Sequence, residues 1–176
     1  MKTAFRHLLP VALLLLVSAC AFADGWTVHY ADAMAKAQTD NKAVLLNFTG
    51  SDWCPWCIKM KQETLDTGEF RQYADDNLEL VTLDFPNAVP QPPSIKAQNK
   101  QLQKKYKVDG FPTFILLSSD GRVLWKQVGY LEGGPQAFVG QLQQHYHHSG
   151  GPSIGSGGGG DDFDSFFKKP AQSPAP

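Results

Sequence analysis

Ala43-Val44-Leu45-Leu46-Asn47-Phe48, then the loop Gly50-Ser51-Asp52, then Trp53-Cys54-Pro55-Trp56-Cys57 is the stretch that decides the fold. A six-residue apolar run between turn-forming segments has the length and content of a strand covered on both faces, which places it at the centre of a sheet. Pro55 suits the first turn of a helix, and the chain reads helical from there through Leu65, with Ile58 and Leu65 expected on one face. A buried strand thus runs through a short loop into a helix whose first turn carries two cysteines.

Upstream, Trp26, Tyr30, Met34 and Ala37 recur at helical spacing and Asp40-Asn41-Lys42 supplies a turn, so a short amphipathic helix is expected over 26–39. Downstream, Thr67 can cap a helix over Glu69–Asp76, and Leu78–Phe85 reads as a second strand. Four prolines between Pro86 and Pro93 forbid regular structure there. Ser94 is expected to cap a helix to Tyr106 with Ile95, Leu102 and Tyr106 inward. Thr113–Leu117 and Arg122–Val128, separated by Ser118-Ser119-Asp120-Gly121, form an antiparallel hairpin. A last helix opens at Gly133-Gly134-Pro135 and ends near Tyr146. The order implies an α/β fold, a central mixed sheet with helices on both faces.

The 176 residues suffice for one core with appendages. Lys2 and Arg6, the apolar stretch Leu8–Val17 and the small residues Ser18–Ala23 read as an export signal over 1–23, too short to span a membrane, so no transmembrane helix is expected in the mature form. Two endings fit. Ala21-Phe22-Ala23 is a cleavage site that releases a soluble chain from Asp24, and Val17-Ser18-Ala19-Cys20 has the form of a lipoprotein signal ending before a lipid-anchored Cys20. Either gives an exported location, periplasmic in a bacterium, free or membrane-anchored. Losing Lys2 and Arg6 and no acid takes the net charge from −1 to −3. No basic strip with interleaved aromatics is present, which argues against nucleic acid as a partner. The folded domain is expected over 24–148. Residues 149–176 read as a disordered Gly-rich linker and an acidic, aromatic tail around Asp161–Lys169, with the composition of a docking segment but no nameable partner.

With Cys20 in the signal, only Cys54 and Cys57 remain in the domain. A bridge across three positions closes too small a loop to staple a fold, so the pair's value lies in chemistry. Positions i and i+3 on a first helical turn suit a disulfide, and the helix N-terminus favours a thiolate at Cys54. Cys54 is the expected exposed nucleophile, and Cys57, one turn in and more buried, the resolving thiol. The same spacing is half of many zinc sites, but His29, His145, His147 and His148 are the only histidines after export and none is spaced with another Cys. No metal and no cofactor are expected. Trp53 and Trp56 flank the thiols as an apolar platform for extended protein segments.

The strand AVLLNF, WCPWC opening a helix, and Tyr106–Phe114 (YKVDGFPTF) before a hairpin together resemble the thioredoxin superfamily, most nearly exported thioredoxin-like proteins and the C-terminal domain of bacterial thiol:disulfide interchange proteins. The resemblance implies the thioredoxin fold and reversible dithiol chemistry on protein disulfides, which leads to the expectation of an enzyme that reduces or isomerises disulfides of exported proteins and is itself rereduced by a membrane electron donor. It also implies a cis bond at Phe111-Pro112, with Pro112 beside the Cys pair and the Phe111 backbone pairing with the substrate chain, so Trp53, Pro55, Trp56, Phe111 and Pro112 are the expected substrate contacts. Two departures matter. Asn47 stands nearest to the buried Asp of thioredoxins and takes no proton, leaving water, Asp52 or Glu63 to serve Cys57. Trp56 brings no charge to the thiolate, so a reducing to intermediate potential is expected. A binding or chaperone module in which the pair is secondary is the second reading.

Overall fold

The computed structural model describes residues 25–147, so the export signal with Cys20, and the tail from 149 onward, lie outside the described residues. Strands β1 (Trp26–Thr27), β2 (Ala43–Thr49), β3 (Leu78–Asp84), β4 (Thr113–Leu117) and β5 (Val123–Val128) form one sheet in the order β1-β3-β2-β4-β5. β2 pairs parallel with β3 and antiparallel with β4, so the sheet is mixed and β2 lies at its centre. All seven residues of β2 are buried, as a run without polar alternation requires.

Helices cover both faces. Leu45, Leu80, Phe114 and Leu116 meet Met60 of α2 (Pro55–Met60), Phe70 of α3 (Gly68–Asn77), and Phe138 and Leu142 of α5 (Gly134–His147). Val44, Leu46, Phe48 and Ile115 meet Ala33 and Ala37 of α1 (Tyr30–Asp40) and Leu102 of α4 (Pro93–Lys105). The period of two along β2 thus sends odd positions to one core and even positions to the other.

Three element starts and one helix face differ from expectation. Trp26 belongs to β1, an edge strand whose two residues are too few to show a period; its ring stacks on Phe70 at 6.3 Å and α1 begins only at Tyr30. Pro92, not Ser94, precedes the first residue of α4, because Pro93 at the first helical position has its φ preset and no N–H to leave unpaired. β5 starts at Val123, since Ser118, Asp120 and Arg122 bond one another across the turn. Ile58 is exposed, and the buried positions of α2 are Cys57 and Met60. The helix continues past Met60 over Lys61–Leu65 as a wide π turn, closed by the Asp66 N–H on the Lys61 carbonyl at 2.8 Å, which brings Thr64 and Leu65 inward. Asn41 ends α1 in the left-handed conformation at φ 51°, and Thr67 caps α3 by accepting from the Phe70 N–H.

Phe138 packs against Phe70, Phe114 and Trp125, with ring centroids 5.9, 4.9 and 5.8 Å away. Removing it leaves a cavity between α5 and the sheet. Phe138→Ala is expected to cost about 3–5 kcal/mol, read from urea denaturation.

Candidate functional site

β2 ends at Thr49, and the loop that follows is tied down at two points. The Ser51 N–H and Oγ donate to the Asp84 carboxylate at 2.9 and 2.6 Å, and the Asp52 carboxylate accepts from the Asn87 and Ala88 N–H groups, the shortest at 2.7 Å. The proline-rich segment is thereby held against the loop. Cys54 then adopts an extended conformation at the helix N-terminus, with Pro55 at the first helical position.

Cys54 and Cys57 form a disulfide, with Cα atoms 5.2 Å apart. The Cys57 N–H is shared between the Cys54 carbonyl at 3.1 Å and Cys54 Sγ at 3.2 Å, so a backbone donor of the helix terminus reaches that sulfur. The expected contrast in exposure is absent in this disulfide form: each residue is 4% exposed.

The flanking rings differ in how they are held. Trp53 is 42% exposed but pinned: its Nε1 donates to the Phe85 carbonyl at 2.8 Å, its indole lies over Gly50, where a Cβ would come within 2.4 Å, and it meets Phe111 edge-on at 5.8 Å. Phe111 also packs on Phe85 at 5.1 Å, and the Phe111–Pro112 bond is cis, so Trp53 and Phe111 bring the two signature loops together. Pro112 is buried. Trp56 is 56% exposed and sits on Tyr130 at 5.6 Å. Lys59 Nζ lies 4.6 Å from the Tyr130 ring and 5.5 Å from the Trp56 ring, and the Tyr130 hydroxyl donates to Glu63 at 2.5 Å. Lys59 and Tyr130 went unread in the sequence. Trp56, Lys59 and Glu63 share one helix face at spacings of three and four, which was the available signal; Tyr130 arrives from beyond β5.

Neither carboxylate considered for Cys57 is free for that task. Glu63 is engaged on the outer surface by Tyr130, and backbone donors hold Asp52 below the usual carboxylate range. Under α2 lies a cavity of about 290 Å³ whose wall includes Cys57, Asn47, Thr49, Thr82 and Lys61. Among the described residues no three His, Cys, Asp or Glu side chains converge as metal ligands would, and no helix is long and apolar enough to cross a membrane.

Residues 30–145 match the model of the thioredoxin-like domain. The chain belongs to the thioredoxin-like family. It is 39% identical over 114 residues to the disulfide bond reductase DsbH of Chlamydia pneumoniae, covering 65% of this chain and 68% of that protein. It is 31% identical over 101 residues to the thioredoxin-related protein DsbJ of the same organism, 57% of this chain but 29% of that longer one. A solved DsbH oxidoreductase superposes with a TM-score of 0.65 at 37% identity, covering 68% of this chain and 82% of the other. The C-terminal domain of DsbD from Neisseria meningitidis, in its reduced form, gives 0.51 at 26% identity, covering 65% and 92%. With its cysteine pair joined in a disulfide, this member of the family is a thiol–disulfide oxidoreductase.

Because Asp52 titrates lower in the folded protein than its ordinary 3.8, ionised Asp52 stabilises the fold above that value, and the stabilisation is lost as pH falls below it. Asp52→Asn is expected to lower the urea midpoint at pH 7 and to narrow its gap to wild type as pH drops toward 3, monitored by circular dichroism.

Proposed function

We propose that the chain is an exported reductase of disulfides in exported proteins, with Cys54 as nucleophile and Cys57 as resolving thiol. The observation that carries this is the Cys57 N–H on Cys54 Sγ at the start of a helix, because a donor aimed at that sulfur favours its thiolate. The Cys54 thiolate attacks one sulfur of a substrate disulfide and a substrate thiolate leaves. Cys57, once deprotonated, attacks Cys54 Sγ of the mixed disulfide, the second substrate thiolate leaves, and Cys54–Cys57 is left oxidised. A dithiol donor, assigned here to a membrane electron carrier, returns the two electrons.

The exposed rings of Trp53 and Trp56, with Pro55, Phe111 and Pro112, form the docking surface for an extended segment around the target disulfide, the Phe111 backbone pairing with it as an added strand. The reductive direction is supported by the name of DsbH, a disulfide bond reductase, and by the uncharged Pro55-Trp56 between the cysteines. Lys2, Arg6 and the apolar stretch Leu8–Val17 support export over residues 1–23, with release after Ala23 or lipid attachment at Cys20 as the two outcomes that the mass of the mature protein separates.

Reduction of a small protein disulfide by a dithiol donor is expected to depend on this protein and to vanish in Cys54→Ser. Cys57→Ser is expected to stall as a mixed disulfide, visible as a substrate mass adduct. Titration of the pair against glutathione is expected to give a potential on the reducing side of that couple, each 30 mV being about 1.4 kcal/mol. A strongly oxidising value would reverse the direction. Absence of turnover, with Cys54→Ser retaining its cellular role, would leave the binding-module reading instead.

A further inference from the structure

The face of the sheet under α2 is apolar at Ala43, Leu45, Leu78 and Leu80 and turns polar one step later at Asn47 and Thr82, which lie opposite each other in register. Asn47 is 8% exposed, and its Oδ1 is buried with no donor among the described residues. A buried amide oxygen left without a donor costs about 1–3 kcal/mol, so a polar group at the centre of an apolar sheet needs a compensating partner. Asn47 and Cys57 line the same cavity, whose 290 Å³ hold several waters at roughly 30 Å³ each. The cavity's other titratable groups, Lys61 and Asp66, are paired with each other at 2.6 Å. Arg71 adds a second cation 3.6 Å from Asp66.

We infer that this cavity is the proton exit of the resolving cysteine, with Asn47 as a positioning residue that orders the water receiving the Cys57 proton, and with no carboxylate in the path. The inference rests on the dithiol reading above. When Cys57 attacks the mixed disulfide, its S–H bond breaks and the proton passes to a cavity water and on to solvent. The Cys54–substrate S–S bond breaks as Cys54–Cys57 forms, and the electron pair leaves on the substrate sulfur. The Asn47 amide accepts from that water and itself takes no proton.

The test follows oxidation of the reduced full-length protein by an aromatic disulfide that releases its two thiolates in turn, the first reporting attack by Cys54 and the second resolution by Cys57, from pH 5 to 9. Asn47→Leu is expected to slow the second phase by about tenfold or more, short of the 10²–10⁴ of a direct proton acceptor, and to leave the first unchanged. Asn47→Asp is expected to add an inflection to the pH profile of the second phase, since burial raises the pKa of a carboxyl placed there. If Asn47→Leu does not fold, Thr82→Val, which strips a second polar group from the same wall, carries the same expectation. Equal second phases in wild type and the folded apolar variant would overturn the inference, as would a comparable loss in Asp66→Asn. A wild type lacking the first phase would instead overturn the dithiol reading.

Discussion

Strand β2 can exist only where both of its faces are covered, and the rest of the domain follows from covering them. Alternating side chains commit residues 43, 45 and 47 to one layer and 44, 46 and 48 to the other, so helices must return to the sheet from both sides. Its parallel partner β3 forces a crossover, and α2 with α3 is that crossover; the reactive pair sits where the crossover begins. The chemistry is therefore placed by the most buried segment of the chain, at the carboxyl end of its central strand.

That placement sets two demands against each other. A strand buried on both faces should be apolar throughout, yet its last turns border a thiol that must lose a proton. The compromise is graded along β2: Leu45 closes the hydrocarbon core, while Asn47 and Thr49 beyond it line the cavity shared with Cys57. A carboxylate at position 47 would carry a larger desolvation penalty than an amide, which stays neutral at every pH.

Segments whose signal is local were legible in the sequence. The apolar run of β2, the proline after Cys54, the Thr67 cap and the Asp-Gly hairpin each follow from a few neighbouring residues, and the cis bond at Phe111–Pro112 came only through the family resemblance. What escaped needed contacts across the fold. β1 is two residues long and exists because Trp26 finds Phe70; the partner of Trp56 comes from residue 130; Asp52, which reads as a loose acid, is a clasp on backbone 35 positions away. On an ideal helix Ile58 reads inward with Leu65, whereas α2 buries Cys57 and Met60 and the π turn that follows it brings Thr64 and Leu65 inward.

The Cys54–Cys57 pair is buried, while the indoles next to it in the chain are exposed, Trp53 locked to Phe85 and Trp56 leaning on Tyr130. A thiolate must approach a disulfide sulfur along the line of the bond it breaks, and with Trp53 and Trp56 as the docking surface proposed above, a narrow strand fits beside the pair more readily than a broad convex surface. Under the reductase reading proposed above, disulfides displayed on protruding or unfolded chain are favoured over those set flush in a finished domain, a selection by shape that costs the protein no sequence recognition.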